Sequence, residues 1–138
     1  MKPSCTELEI VALLRQRGIN PTPQRVMITR VLLQRGMHMS AEDVYRDVNV
    51  DNQQVSKATV YNTLGLLAER GVVREVIANP SKVFYDPNTA PHHHFYDEET
   101  EALIDIDAKD VRVVGLPPLP LGSELQGVDV IVRLRQTK

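Results

Sequence analysis

Three consecutive histidines, His92 to His94, are the strongest candidate metal ligands in the sequence. Alternate side chains of an extended strand share a face, so His92 and His94 can bind one metal ion while His93 points away. Downstream, Asp105 lies between two isoleucines in a predicted strand, where a lone carboxylate is costly unless a positive charge faces it. The pattern favours a metal site, although a solvated loop could also carry three adjacent histidines.

Two more residues could complete a ligand set. His38 precedes the N-cap of a predicted helix, and Asp86 ends a predicted hairpin, where it could equally be ordinary turn chemistry. Three imidazoles and two carboxylates suit a borderline or hard divalent ion such as iron(II), manganese(II) or zinc. The sequence has no His-Glu-x-x-His helix, and five ligands leave little room for a substrate. We therefore expect a binding protein with no small-molecule substrate rather than an enzyme.

The first half of the chain is predicted to be helical and to end in a hairpin. Apolar periodicity, N-caps and glycine stops predict helices over residues 6–17, 23–35, 41–47 and 57–70. After Gly71, two runs rich in β-branched or aromatic residues, 72–77 and 82–85, flank an Asn-Pro-Ser turn. Helices followed by a β-hairpin are the order of elements in a winged helix-turn-helix.

The second half is predicted to be a small separate domain. Prolines near both ends of residues 86–91 indicate a linker, and the domain boundaries are placed at residues 1–86, 87–91 (linker) and 92–138. Beyond it, strands are predicted over 95–96, 102–106 and 128–134, with a helical turn over 109–114 and a proline-rich bend before the last strand. The predicted fold class is α+β.

Composition limits the classes of protein further. The chain has 138 residues and a formal net charge of −2, which fits one ordinary domain or two small ones and excludes a large multidomain enzyme. Residues 1–90 carry 11 basic and 9 acidic residues, and residues 91–138 carry 5 and 9. Cys5 is the only cysteine, which excludes intramolecular disulfides and all-cysteine metal sites. Without a signal-peptide core or an apolar run of roughly 20 residues, we expect a cytoplasmic protein with no membrane partner.

The fourth predicted helix has one face suited to DNA. Tyr61 and Asn62 lie there between two very small residues, and they can contact thymine methyl groups and adenine edges respectively. Lys57, Thr59 and the helix N-terminus suit phosphate oxygens. A capped surface helix with one exposed tyrosine is equally consistent with this pattern.

Three motifs together resemble the Fur (ferric uptake regulator) family of metal-dependent repressors. They are Gly-Ile-Asn-Pro-Thr-Pro-Gln-Arg at 18–25, His-Met-Ser-Ala-Glu-Asp-Val-Tyr at 38–45 and Lys-Ala-Thr-Val-Tyr-Asn-Thr-Leu at 57–64. The resemblance implies a homodimer that places the fourth helix of each subunit in the major groove of a palindromic double-stranded DNA operator. The candidate DNA-binding residues are Arg25, Ser56, Lys57, Thr59, Tyr61 and Asn62. Asn62 stands where most members have an arginine, and Asn20 where many have a basic residue.

The resemblance also implies a role for the candidate ligands. The family has a winged helix-turn-helix domain followed by a small α/β dimerisation domain, and a sensory metal site joins the two. The residues at the positions of its sensory ligands are His38, Asp86, His92, His94 and Asp105. Asp97 and Thr100 stand where the family keeps paired cysteines for a structural zinc ion. That zinc site is therefore expected to be absent.

Three other segments look like the Irr branch of the family, the iron response regulators: residues 92–96, 103–106 and 128–135. In that branch the histidine triplet is associated with haem, so His92, His93 and His94 are candidate haem ligands. This implies a metal- or haem-responsive regulator of iron homeostasis and haem biosynthesis genes. The alternative is a peroxide- or manganese-responsive Fur-like repressor, to which the two aspartates point. Some Irr proteins use an N-terminal cysteine followed by proline as a haem ligand. Here Cys5 is followed by Thr6, so it is interpreted as a mobile terminal thiol.

Overall fold

The computed structural model describes residues 6–52 and 54–137, so Cys5 and its interpretation lie outside the described residues. The chain divides between Thr89 and Ala90 into two units, a position inside the predicted linker. Among the described residues, no helix is long and apolar enough to cross a membrane.

The first unit consists of four helices and a small antiparallel sheet. Its elements are α1 (Glu7–Gln16), α2 (Pro23–Arg35), β1 (Met39–Ser40), α3 (Ala41–Val48), α4 (Lys57–Glu69), β2 (Arg74–Asn79) and β3 (Lys82–Asp86). The sheet has the strand order β1-β3-β2. The predicted helices are confirmed to within one residue at each end, because each begins at a side-chain cap or a proline that the sequence displays.

Polar caps position α3 and α4. Ser40 accepts a hydrogen bond from the Asp43 amide at 3.2 Å, and the Asp43 carboxylate accepts one from the Ser40 amide at the same distance. This reciprocal pair is a capping box completed by aspartate instead of glutamate. Ser56 begins α4 by accepting the Thr59 amide hydrogen at 3.1 Å. The start of the proposed recognition helix is therefore set by local hydrogen bonds.

The core of the first unit is formed by the inner faces of its helices. Fully buried aliphatic side chains from α1, α2, α3 and α4 contribute to one cluster: Ile10, Leu14, Ile28, Leu32, Val44, Val60, Leu64 and Leu67. Two arginines link the ends of α1 and α4. Arg17 donates to the carbonyl groups of Arg70 and Gly71, and Arg70 donates to those of Arg17 and Gly18. Cations at helix C-termini are electrostatically favourable, so this pair helps to orient α4.

The hairpin differs from the prediction at its start. Strand β2 begins at Arg74 rather than at residue 72 because the backbone after Gly71 closes α4. The Val72 amide donates to the Leu67 carbonyl at 2.9 Å, so this amide is not available for pairing in the sheet. The side chains of Val72 and Val73 are both buried in the core. The two-residue strand β1 was not predicted; it exists through its pairing of Met39 with Tyr85 and Ser40 with Phe84.

The second unit is a three-stranded sheet with a long irregular connection. Its elements are β4 (His92–Asp97), β5 (Leu103–Asp107), a 3-10 turn (Ala108–Asp110) and β6 (Ile131–Leu134), with the strand order β5-β4-β6. Strand β4 pairs antiparallel with β5 and parallel with β6. Three predictions are wrong here: β4 begins at His92 rather than at residue 95, helical structure ends at Asp110 rather than at residue 114, and β6 begins at Ile131 rather than at residue 128. The α+β class is confirmed.

Candidate metal centre and nucleic-acid interface

Strand pairing brings together three of the predicted ligands. In the antiparallel register of β4 and β5, His94 lies directly opposite Asp105, and His92 lies two residues earlier on the same face of β4. Oδ1 of Asp105 is 3.2 Å from Nε2 of His94 and 3.8 Å from Nε2 of His92. One ligand atom from each residue lies within 4.8 Å of the others. Two ligands at about 2.1 Å from one ion are at most about 4.2 Å apart, so these separations suit a shared ion after small side-chain rotations.

Burial restrains the rings of His92 and His94, which suits them to act as metal ligands. His94 is 1% exposed and His92 6% exposed, and their ring centroids are 4.5 Å apart. The Asp105 side chain is 59% exposed, so water solvates the carboxylate on the side away from the two imidazoles. The edge strand β5 thus presents a solvated carboxylate to two buried imidazoles.

The tautomer of His92 supports a cation at this cluster. Nδ1 of His92 lies 2.7 Å from the carbonyl oxygen of Ala90, which can only accept, so Nδ1 carries the hydrogen. In a neutral ring Nε2 then presents a lone pair towards the Asp105 carboxylate, and two acceptors face each other. A cation between them removes the repulsion, and a backbone carbonyl on the second ring nitrogen is the usual support of a metal-binding histidine. The donor set, with imidazole nitrogen and carboxylate oxygen, fits a borderline or hard divalent ion.

The other two predicted ligands belong to the first unit. Asp86 is the last residue of β3 and is 2% exposed, and its Oδ1 accepts the Asn88 amide hydrogen at 2.9 Å. His38 directly precedes β1 and is half buried, with its ring centroid 5.5 Å from that of Phe84. Both residues are therefore positioned by the small sheet of the first unit, and their role as ligands stays a prediction.

The third histidine of the triplet occupies a different position. His93 is half buried on the opposite face of β4, where its Nδ1 accepts a hydrogen bond from the Val130 amide at 3.0 Å. The structure thus separates His93 from the His92–His94–Asp105 cluster, as strand alternation predicts. A haem group held by all three histidines on one face does not fit this arrangement.

Helix α4 presents the predicted DNA-reading residues to solvent. Tyr61 is 47% exposed, and Asn62, Lys57 and Ser56 are exposed as well, while the opposite face of the helix is buried in the core. Arg25 is half buried, and its guanidinium donates to the Asn20 carbonyl at 3.0 Å. A surface depression joins α4 to the start of α2; it is lined by Thr22, Gln24, Arg25, Thr59, Asn62 and Thr63. Arg25, Thr59 and Asn62 thus share one concave surface.

Residues at the rim of this depression were not singled out from the sequence. Gln24 donates through Nε2 to the Gln54 carbonyl at 3.2 Å, which ties the start of α2 to the loop before α4. Thr22 is occupied as the N-cap of α2. Gln24 and Thr22 both belong to the motif at residues 18–25, which carries part of the family resemblance. Only the tertiary contact of α2 with α4 shows which residues of this motif line the depression.

The turn between β4 and β5 is closed by the carboxylate of Asp97. Asp97 is 4% exposed, and its Oδ1 accepts the amide hydrogens of Glu99 at 2.9 Å and Thr100 at 3.1 Å. Its other oxygen accepts from Nε2 of Gln136. Hydrogen bonds from the Thr100 and Glu99 amides lower the pKa of Asp97 below its usual 3.8. The turn is therefore held by hydrogen bonds to a charged group.

We expect Asp97→Asn to remove part of the acid sensitivity of the fold. A carboxyl group whose folded pKa is lowered stabilises the fold above its unfolded pKa, and this contribution is lost as the pH falls through the folded value. The wild type should therefore lose thermal stability below about pH 4, while the variant should melt lower at pH 7 and fall less steeply. Circular-dichroism melting curves between pH 2.5 and 7 measure both effects. Identical pH profiles for the two proteins would contradict this role of Asp97.

Residues 16–116 match the ferric uptake regulator family. The chain belongs to this family. It is 36% identical over 97 residues, 70% of its length, to a peroxide-responsive repressor, PerR, of Staphylococcus aureus strain Mu50, and the match spans 66% of that protein. The chain thus covers just under two thirds of the length of this relative. Fur membership is confirmed, while the resemblance to the Irr branch stays a prediction, since the named relatives are peroxide-responsive repressors.

Solved structures of family members share the fold. The ferric uptake regulator from Pseudomonas aeruginosa with manganese is 27% identical, covers 92% of this chain and 97% of its own, and has a TM-score of 0.69. The ferric uptake regulator of Vibrio cholerae covers 91% of this chain and 98% of its own with a TM-score of 0.72 at 20% identity, which shows the fold alone. The first of these structures is described as containing manganese, an ion that the His92–His94–Asp105 donor set also suits.

Proposed function

We propose that this protein is a homodimeric, metal-responsive transcriptional repressor that binds double-stranded DNA. The observation that carries the proposal is the cluster of two buried histidines and one aspartate on β4 and β5, within a chain of the ferric uptake regulator family. His38 and Asp86 are proposed to complete the ligand set. An ion bound by ligands from both units would restrain the angle between them. In a dimer, that angle sets the separation of two recognition helices, which must match the spacing of the operator half-sites.

Helix α4 is the proposed recognition helix. Its N-terminus and Lys57 suit phosphate oxygens, and Asn62 can form two hydrogen bonds to an adenine edge. Arg25 and Thr59 line the same depression as Asn62, which supports our proposal that they contact the DNA backbone beside the base that Asn62 is proposed to read. The half-exposed Tyr61 ring offers an apolar contact for a thymine methyl group. We propose a palindromic operator because a twofold-symmetric dimer presents two copies of this surface.

An apolar surface on the second unit supports the homodimer. The connection between the 3-10 turn and β6 has no regular structure and carries exposed aliphatic residues: Val113, Val114, Leu116, Leu119, Leu121 and Leu125. Leu121 is fully exposed. A continuous apolar segment of this kind is costly in water and typical of an interface. A second copy of the chain is the proposed occupant.

The inducing signal has two candidates, of which peroxide is favoured. The named relatives are peroxide-responsive repressors, and the proposed ligand set contains two aspartates. The second candidate is the iron- or haem-responsive regulator of iron homeostasis and haem biosynthesis genes, as in the Irr branch. It is favoured by the histidine run at the start of β4, although His93 is turned away from the other two histidines.

One binding experiment separates these candidates. The protein first selects a palindromic duplex from a random library, and its affinity for that duplex is measured with Mn²⁺, with Fe²⁺, with each ion plus hydrogen peroxide, and with haemin. Both ions should strengthen binding, and peroxide should abolish it only with Fe²⁺, since Fe²⁺ is readily oxidised by peroxide and Mn²⁺ is not. Loss of binding with haemin but not with peroxide would favour the iron and haem candidate. The same affinity in every condition would contradict a metal-responsive repressor.

A further inference from the structure

The main chain of Val130 is bound on both of its polar groups by neighbouring histidines. Its amide donates to Nδ1 of His93 at 3.0 Å, and its carbonyl accepts from the His94 amide at 3.2 Å. Val130 directly precedes β6, whose first residue, Ile131, pairs with His94 in the parallel register. The His93 ring therefore adds one rung to the ladder at the point where β6 joins β4.

This extra rung has a clear physical purpose. Strand β6 has only four residues, lies at the edge of the sheet and follows a long connection without regular structure. A parallel pair cannot be set by a tight hairpin turn, so its register must be fixed by other contacts. The side-chain bond from His93 fixes Val130 beside the strand that carries His92 and His94. Because β4 is central in the sheet, its position depends on β6 as well as on β5.

The hydrogen bond also excludes a second role for the same ring. To accept at Nδ1, a neutral His93 must carry its hydrogen on Nε2, and a protonated nitrogen cannot coordinate a metal or haem iron. Coordination through Nε2 would move the hydrogen to Nδ1, where it would face the Val130 amide hydrogen. The ligand role and the rung role are therefore incompatible in this fold.

We infer that His93 is a positioning residue: its Nδ1 accepts the Val130 amide hydrogen, fixes β6 against β4, and thereby holds the strand that carries His92 and His94. It is not itself a ligand. The inference rests on the proposed metal site for its functional meaning, but the hydrogen bond and the tautomer can be measured on the metal-free protein. The sequence made His93 one of three candidate haem ligands, and the positioning role is the alternative that we infer from its hydrogen bond.

Nitrogen-15 NMR of the full chain tests the tautomer directly. The metal-free protein should show His93 protonated on Nε2 and not on Nδ1, and a scalar coupling across the hydrogen bond from the Val130 amide to Nδ1. On addition of the diamagnetic ion Zn²⁺, the Nε2 resonances of His92 and His94 should shift strongly while those of His93 do not. A His93 ring protonated on Nδ1 would overturn the inference, and so would a strong shift of the His93 Nε2 resonance when Zn²⁺ is added. If Zn²⁺ shifts none of the three, the metal proposal fails while the tautomer still decides the role of His93.

Two substitutions at this position make a matched pair. In His93→Asn the side-chain Oδ1 takes the place of Nδ1 and keeps the acceptor for Val130, whereas His93→Gln moves its amide one bond further, to the place of Nε2. His93→Gln should weaken Zn²⁺ binding about tenfold, in the range found for residues that support metal ligands, and His93→Asn should restore wild-type affinity. Thermal melting curves show whether each variant is folded. Equal weakening in two folded variants would contradict the positioning role.

Discussion

Asp105→Asn should abolish the effect of Mn²⁺ on DNA binding and leave metal-free binding unchanged. The substitution keeps the size of the side chain and removes the negative charge that faces the Nε2 atoms of His92 and His94. Because Asp105 is largely solvated, the core of the second unit stays intact. Metal affinity should fall by roughly 100-fold or more, since removing a ligand costs at least as much as removing its support. Isothermal titration with Mn²⁺ and operator binding measure the two effects.

A second aspartate provides the matched control. Asp110 is exposed in the 3-10 turn after β5 and is not part of the cluster, so Asp110→Asn changes the net charge equally without touching a proposed ligand. It should behave like the wild type in both measurements. His94→Ala should reproduce the Asp105→Asn phenotype, and its melting curve must be recorded because this side chain is fully buried. A normal Mn²⁺ response in folded Asp105→Asn would exclude the cluster as the sensory site.

Asn62→Ala should weaken operator binding by about 1–3 kcal/mol and relax the preference at one base pair in each half-site. The side chain is exposed on α4, so the free energy of unfolding should change little. Affinity for the selected duplex and for duplexes with each base changed in turn gives both the loss and the position. The effect is large because the adenine edge that Asn62 is proposed to contact loses this hydrogen-bonding partner when the amide is removed.

Lys57 provides the contrast within the same helix. It lies at the start of α4, with Nζ 5.8 Å from the centre of the Tyr45 ring, and it offers a charge without base-specific geometry. Lys57→Ala should weaken binding to all duplexes alike and reduce the slope of log affinity against log salt by about one. If Asn62→Ala also weakened all sequences alike, α4 would be a phosphate-binding helix and not the reading element.

Elements with local signals were predictable, and elements created by tertiary pairing were not. Thr22 with Pro23, and Ser56, mark the starts of α2 and α4 in the sequence itself, and the structure places both helices there. Strand β1 has two residues and no pattern of its own; it forms because β3 lies beside it. The offset of β2 has the same origin, since Val72 is used to close α4 before the chain can enter the sheet.

The candidate metal site was only partly predictable, because one part of it follows from local strand geometry and the other from tertiary strand pairing. Alternation along an extended strand places His92 and His94 on one face from sequence alone. The partner of that face depends on the β4–β5 register, which sets Asp105 opposite His94. Asp105 is largely solvated, which its position between two isoleucines in the sequence did not indicate. The bond from Val130 to His93 spans 37 residues of sequence and follows only from the parallel position of β6.

A divalent ion bound by this protein is proposed to strengthen its binding to DNA. The most direct test is the dissociation constant of the selected operator duplex, measured by fluorescence anisotropy at constant ionic strength with chelator and with saturating Mn²⁺. A coupling free energy of about 1–3 kcal/mol between the two sites predicts an affinity roughly 5- to 150-fold higher with the ion, and linkage requires the duplex to strengthen Mn²⁺ binding by the same factor. The same dissociation constant with chelator and with Mn²⁺ would show that the protein is not a metal-responsive repressor.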